Sequence, residues 1–209
     1  MRKLSNLLLL FGIAVLIFAA YQIYDYKIAV SKGLKDVEEF FNQNDIDISS
    51  GDDEKLRQAA AALKLSHGDA FAILKIPSIK LSLPILEGTD LPVLKKGVGH
   101  EPATGIPGEG RNIFLAGHND SAFKDVGKIK KGDLLEIEMP YGTFQYTMTN
   151  TKIVNKSNTS VITDPHKAET LILSTCYPFY SIVSTPKRYI VYAKLKGFTP
   201  NNHHVKKSS

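Results

Sequence analysis

The chain has 209 residues, 43% hydrophobic and 22% charged, with a formal net charge of +5, one cysteine and no tryptophan. That composition suits a globular protein and excludes collagenous, low-complexity and disulfide-framework classes. The charge is uneven: residues 25–69 hold ten acids against six bases, and residues 70–198 hold sixteen bases against eleven acids. A basic second region suits an anionic surface such as a cell wall or lipid headgroups. No basic patch has the aromatic interleaving that a nucleic-acid partner requires, so none is expected.

Arg2 and Lys3 precede an uncharged stretch from Leu4 to Tyr24. About 21 residues at ~1.5 Å each give roughly 31 Å, the thickness of a hydrocarbon core. Tyr21, Tyr24 and Tyr26 cluster at its far end as interfacial aromatics do. The positive start predicts a cytoplasmic N-terminus (1–3), a single-pass span (4–24) and an external remainder at the cell membrane. A cleaved signal peptide is the competing reading. Phe18-Ala19-Ala20 lacks the small residue required three before a cleavage site, so a retained anchor is expected.

Residues 25–48 carry Ile28, Leu34, Val37, Phe40 and Phe41 at helical spacing, and 42–54 form a polar breaker. A second helix is predicted from about Asp53 to Leu65, capped by Asp52 or Asp53 and ended by His67-Gly68. The whole of 25–69 reads as a stalk or linker, its second helix able to dock on the domain beyond it.

From 70 to 198 the pattern changes to short strands. Phe71–Pro77 and Leu81–Leu86 carry prolines, which suit edges or bends. A short helix is predicted over 89–96, a loop over 97–110 and a strand over 112–116. Strands near 133–139 and 143–154 flank a Pro140-Tyr141-Gly142 turn. Residues 155–169 form a polar loop with a helical turn. Leu171–Thr175 is a buried-type strand, and another begins near Arg188. About eight short strands with little intervening helix predict a mainly all-β fold closed into a barrel, with antiparallel pairing. The tail 199–209, with His203, His204 and Lys206, shows no pattern.

The lone thiol, Cys176, ends its strand just where Pro178 stops ladder pairing, and loop chemistry from Ser181, Ser184 and Pro186 follows. An external protein with one cysteine forms no internal disulfide. The plainer alternative is an inert core cysteine. If the strands before and after this loop pair, Cys176 and Arg188 face each other. Among six histidines, His67 reads as a helix-end residue, His100 and His166 lie in loops, and only His118 directly follows a strongly apolar strand, as Cys176 does. Thiol, imidazole and guanidinium are what acyl transfer requires: nucleophile, proton donor and oxyanion donor. Arg188 never deprotonates and cannot be a base. Asp120 can orient His118 or simply form a turn. A zinc site from His118, Asp120 and Cys176 lacks paired-ligand spacing, and no metal is expected.

Leu-Ala-Gly-His118, Leu-Ser-Thr-Cys176 and the following Arg188, behind an N-terminal anchor, resemble the sortases, membrane-anchored cysteine transpeptidases of Gram-positive bacteria. Ile76-Pro77-Ser78-Ile79, Leu83-Pro84-Ile85 and Gly88-Thr89 resemble the family's first strands. Cys176-Tyr177-Pro178-Phe179 and Pro186-Lys187-Arg188-Tyr189-Ile190 look most like class D. The family's Thr-Leu-x-Thr-Cys has Ile172 at its first position here, expected to point away from the reacting centre. The resemblance implies an eight-stranded sortase-type closed β-barrel over 70–198. It also implies cleavage of an Leu-Pro-x-Thr-type sorting signal after Thr, and transfer of the surface protein to an amine of peptidoglycan or its lipid-linked precursor, lipid II. Cys176 would be nucleophile, His118 acid then base and Arg188 the oxyanion donor. Thr175 (a second donor), Asp120 and Tyr177 would bind substrate, with the 155–169 loop as one wall of the groove. No cofactor is expected. Calcium activation, seen in some relatives, needs clustered acids, and Asp164 and Glu169 are too few to argue for it. An L,D-transpeptidase would set its Cys in Ser-x-Gly-Cys with an Arg soon after, neither of which is present. A non-catalytic wall-binding domain with a buried thiol is the remaining alternative.

Overall fold

The computed structural model describes every residue except 1, 47, 49–51, 164–168, 181–184 and 202–209. Asp164, His166, Ser181, Ser184, His203, His204 and Lys206 therefore lie outside the described residues.

The first helix, α1 (Arg2–Gln43), runs unbroken through both the apolar run and the charged stretch after it. Its 42 residues span roughly 63 Å, and it is long and apolar enough to cross a membrane. The one residue of low helix propensity between Tyr24 and Gln43 is Gly33, which stays helical, and packing accounts for it: a Cβ there would stand 2.7 Å from Pro84 Cγ. Val37 is fully buried with Ala70, Leu86 and Val93. The second helix, α2 (Asp53–Ala62), is capped by Asp52, whose carboxylate accepts from Glu54 N. It ends at Ala62, three residues earlier than expected, and His67 lies in the turn beyond, paired with Asp90 at 2.9 Å. Leu56, Ala59 and Ala60 of α2 enter the main core beside Phe71 and Phe144. Much of the segment read as a stalk is thus packed on the barrel.

Eight strands complete the fold: β1 (Ala70–Ile76), β2 (Leu81–Glu87), β3 (Val98–His100), β4 (Ile113–Ala116), β5 (Leu134–Met139), β6 (Gly142–Asn155), β7 (Thr170–Tyr177) and β8 (Lys187–Pro200). They close into a barrel in the order β1-β2-β3-β4-β7-β8-β6-β5. Short helices α3 (Leu91–Leu94) and α4 (Ser160–Thr163) lie between strands. Leu74, Leu115, Leu135, Ile137, Leu171, Leu173 and Val191 fill the interior.

Several expectations are corrected. Pairing is mixed: β2–β3 and β4–β7 are parallel, with α3 in the crossover between the first pair and β5 and β6 intervening in the chain between the second. Strands β6 and β8 have 14 residues each and are not short. The three-residue β3 falls within the predicted loop. It pairs with β2 only from Ile85 on, so Pro84, without an N–H, sits where that ladder has not begun. Strand β2 therefore carries Pro84 with a neighbouring strand on each side and is not an edge, whereas Pro77 lies just beyond β1 and opens a 3-10 turn, a bend as expected. The predicted tail begins inside β8, and Asn201 then donates to the carbonyls of Met139 and Pro140.

Candidate active site

Strand β7 alternates its faces about the barrel wall. Leu171 and Leu173 enter the interior, while Ile172 packs outside with Val161 of α4, Ile190 and Tyr192. By the two-residue period of a strand, Cys176 lies on that outer face with Ile172. Ile172 therefore does not point away from the face of the thiol. It is removed from it by four residues, about 13 Å along the strand, and is fully buried near α4.

Cys176 is a half-buried free thiol. It stands directly opposite Arg188 in the antiparallel β7–β8 ladder, and directly opposite residues share a face with Cβ atoms about 4.5–5.5 Å apart. Arg188 Nη1 donates to the carbonyls of Thr185 (3.0 Å) and Lys187 (3.1 Å). These bonds hold the guanidinium by one nitrogen, leaving Nε and Nη2 as unused donors among the described residues.

The parallel β4–β7 pairing brings His118 to the same rim. Its register aligns Ala116 with Ser174. One residue on, Gly117 N donates to Ser174 O (3.1 Å), and Thr175 Oγ1 donates to Gly117 O (2.7 Å). A Cβ at Gly117 would meet the Phe123 ring at 2.7 Å, so only glycine lets the chain turn that closely. Phe123 N then donates to His118 O (2.8 Å). On the far side, buried Asn119 donates through Nδ2 to Pro178 O (3.0 Å), tying the histidine loop to the loop after the thiol.

The strand pairings therefore put the three residues expected to do chemistry at one rim, and the other three are placed differently. Thr175 is 2% exposed, and its hydroxyl proton goes to Gly117, a positioning contact and not one toward a substrate. Asp120 is exposed and accepts from Ser121 Oγ (3.0 Å); no hydrogen bond joins it to His118 among the described residues. Tyr177 stacks on Tyr189 (ring centroids 6.1 Å), and Phe179 packs edge-on against both. Asn119, Phe179 and Tyr189 were not singled out from sequence. Asn119 carries only a turn-former's signal there, and the rings belong to a cluster visible only once β7 and β8 pair. Among the described residues no group of three or more His, Cys, Asp or Glu side chains could hold a metal ion.

Glu169, just before β7, is a buried anchor. Its carboxylate accepts from the amides of Gly108 (2.9 Å) and Gly110 (3.1 Å) and from Tyr146 Oη (2.5 Å). Burial pushes its carboxyl above the usual range against the pull of those hydrogen bonds, and pushes the Tyr146 hydroxyl up as well. His100, at the end of β3, is likewise buried and paired, with Nδ1 2.6 Å from Glu87 Oε2.

A cavity of about 760 Å³ lies on the other side of His118, between its loop and α1; Tyr26, Lys27, Lys95, Asp120 and Lys124 line it.

The family model described as a Sortase domain matches residues 74–196. Sortase D of Bacillus subtilis (strain 168) is 48% identical over 134 residues, 64% of this chain and 68% of that protein. Among solved structures, a Clostridium perfringens Sortase D5 transpeptidase aligns with TM-score 0.61 and 28% identity, covering 80% of this chain and 99% of that one. The catalytic domain of B. anthracis SrtD aligns with TM-score 0.57 and 35% identity, covering 66% and 95%.

Proposed function

The chain belongs to the sortase family of transpeptidases, and from that premise we propose that it cleaves an Leu-Pro-x-Thr-type sorting signal after Thr and transfers the surface protein to a peptidoglycan or lipid II amine. The observation that carries this reading is the Cys176–Arg188 cross-strand pair, with His118 at the end of the strand hydrogen-bonded to the same β7.

In the first half-reaction the Cys176 thiolate attacks the Thr carbonyl carbon, forming a C–S bond and a tetrahedral oxyanion. The unused Arg188 N–H groups donate to that oxyanion as its charge develops. His118 gives a proton to the departing amine, and the C–N bond breaks. In the second half the acceptor amine attacks the thioester, its proton passes to His118, and the thiolate leaves. The outer face of β7–β8, with α4 packed further along it, supplies a groove floor for the extended signal.

The span reading of α1 puts the catalytic domain outside the cell, anchored at the membrane with its N-terminus cytoplasmic. That topology is tested by external protease on intact protoplasts, which should remove everything beyond the anchor. The activity is tested by incubating the full-length protein in vesicles with an Leu-Pro-x-Thr peptide library and recording the acyl-enzyme by mass spectrometry. Cys176→Ala should yield no adduct, and His118→Ala should lose nearly all turnover. Retention of half the activity in either variant would reassign the nucleophile or the acid. If Cys176 instead resists alkylation in the folded protein, the reading as a non-catalytic wall-binding domain replaces this one.

A further inference from the structure

Helix α1 changes its surroundings at one point. No part of its most apolar stretch is buried against the rest of the chain. From Gln22 onward the barrel lies beside it: Gln22 to Lys27 face the His118–Lys124 segment across the cavity described above. A second hollow, of about 310 Å³, borders Tyr26, Lys80, Ser82 and Lys124. Further along, Gly33 seats against Pro84 and Val37 is buried in the domain, so the helix is fixed to the barrel. Packing thus begins where the uncharged run ends, at Tyr24. With α1 spanning the bilayer, the hydrocarbon core ends there, and the side chains around Gln22 to Lys27 stand in the headgroup layer. Four lysines reach that layer. Lys27, Lys80, Lys95 and Lys124 are exposed, border the two hollows and enter no ion pair among the described residues. Asp25 and Asp120 border the hollows too, and Asp125 is already taken by Lys128 at 2.7 Å, so the balance is positive. Tyr26 borders both hollows, and its hydroxyl has no hydrogen-bond partner among the described residues.

We infer that this end of the barrel is a membrane-docking surface, on which Lys27, Lys80, Lys95 and Lys124 bind the headgroups of anionic lipids. The inference rests on the span reading of α1 and is independent of the transpeptidase chemistry. Headgroup phosphates accept from the four ammonium groups and from the Tyr26 hydroxyl. The apolar stems of the lysines, with the exposed side chains of Ile23 and Tyr24, face the acyl chains below. The barrel is therefore seated on the bilayer and not held above it on a stalk. His118 shares the wall of the larger hollow, so the rim that carries it is kept at headgroup depth.

The experiment uses the full-length chain with its only cysteine removed by Cys176→Ala. A new cysteine, Ser121→Cys or Lys194→Cys, then carries a fluorophore. Ser121 borders both hollows, and exposed Lys194 lies six residues along β8 from Arg188, ~20 Å from the rim. Each protein is reconstituted in phosphatidylcholine vesicles holding a lipid spin-labelled on its headgroup. Quenching severalfold stronger at position 121 than at 194 is expected. Equal weak quenching at both, in a chain that alkaline carbonate does not extract, would overturn the seat. Extraction by carbonate would instead overturn the span reading. Phosphatidylglycerol added to the vesicles should strengthen quenching at 121, and high salt should reverse that gain. Lys80→Glu with Lys124→Glu should abolish the gain. Lys131→Glu, an exposed lysine that borders neither hollow, should keep it. No gain with phosphatidylglycerol, or equal loss in all these variants, would overturn the assignment of the four lysines to anionic headgroups.

Discussion

Arg188 stands directly opposite Cys176 across the β7–β8 ladder, on the same face of the sheet, and two backbone carbonyls hold its Nη1. The guanidinium is thereby pre-aimed: one nitrogen is spent on anchoring and the others remain for a substrate. A lysine here could place a charge near the sulfur but could not both anchor and donate from a fixed planar fork. Arg188→Lys and Arg188→Ala are therefore both expected to lose about a hundred- to a thousand-fold in kcat, the usual loss for one oxyanion donor. The rate of Cys176 alkylation at fixed pH should change little. Near-normal turnover in the lysine variant would show that charge alone suffices.

Thr175 offers a sharper separation of roles, because the family resemblance implies a substrate donor there and the structure turns its hydroxyl to Gly117 O. Thr175→Val keeps the shape and orphans that buried carbonyl, which costs about 1–3 kcal/mol. The His118 loop should loosen, so kcat should fall with KM for the peptide nearly unchanged, and Thr175→Ser should restore both. A rise in KM without loss of kcat, measured by steady-state kinetics, would return Thr175 to the substrate site.

The three residues proposed for catalysis were legible in the chain because each sits at a strand end, and strand ends announce themselves: Ile113–Ala116 before His118, Leu171–Thr175 before Cys176, Arg188 opening the return strand. What escaped depends on which strands become neighbours. The parallel β4–β7 pairing rests on an interior match, Leu115 beside Leu173, that has no local sign. Strand β3 has three residues, two of them Val98 and Gly99, between Gly97 and a buried histidine, too little for a period to show. The helical pattern of 25–48 was visible, but its burial was not. Val37 reads as one face of an ordinary amphipathic helix until Ala70, Leu86 and Val93 are seen to cover it.

Glu169 makes stability depend on pH in a direction opposite to that of an ordinary paired carboxylate. Burial raises its folded-state pKa above the usual 4.5, so across the window above 4.5 the folded protein holds a proton that the unfolded chain has released. Its contribution is full below that value and declines as pH rises through the raised one. Glu169→Gln keeps one oxygen for the amides of Gly108 and Gly110 and cannot ionise. Urea midpoints measured upward from pH 4.5 should fall for the wild type and stay flatter for the variant. Glu169→Ala should lose at least ~2 kcal/mol at every pH, because it leaves buried amide donors unmet. Parallel pH profiles for wild type and Glu169→Gln would assign the dependence elsewhere.

The boundary of the folding unit is the last point where burial decides against the polar look of the sequence. Leu56 is 5% exposed and Leu63 8%, and both belong to the same cluster as the barrel interior. Gly108, which donates to Glu169, has φ +96° and approaches Leu56 so closely that a Cβ would lie 3.4 Å from it. Helix α2 therefore packs into the barrel's core cluster and backs the turn that anchors β7. A soluble fragment beginning at residue 66 would uncover that part of the core and lose two leucines, each worth about 1.5–3 kcal/mol on burial. Against a fragment of 28–201, which keeps α2 and the docked half of α1, it should unfold at clearly lower urea, by at least ~3 kcal/mol. Equal midpoints would mean that α2 contributes nothing to the core it touches. If the shorter fragment is less stable yet still forms the acyl-enzyme, the site needs only the barrel and α2 acts on stability alone. If it is stable but inactive, α2 must act through Gly108 and Glu169 on the strand that carries Cys176.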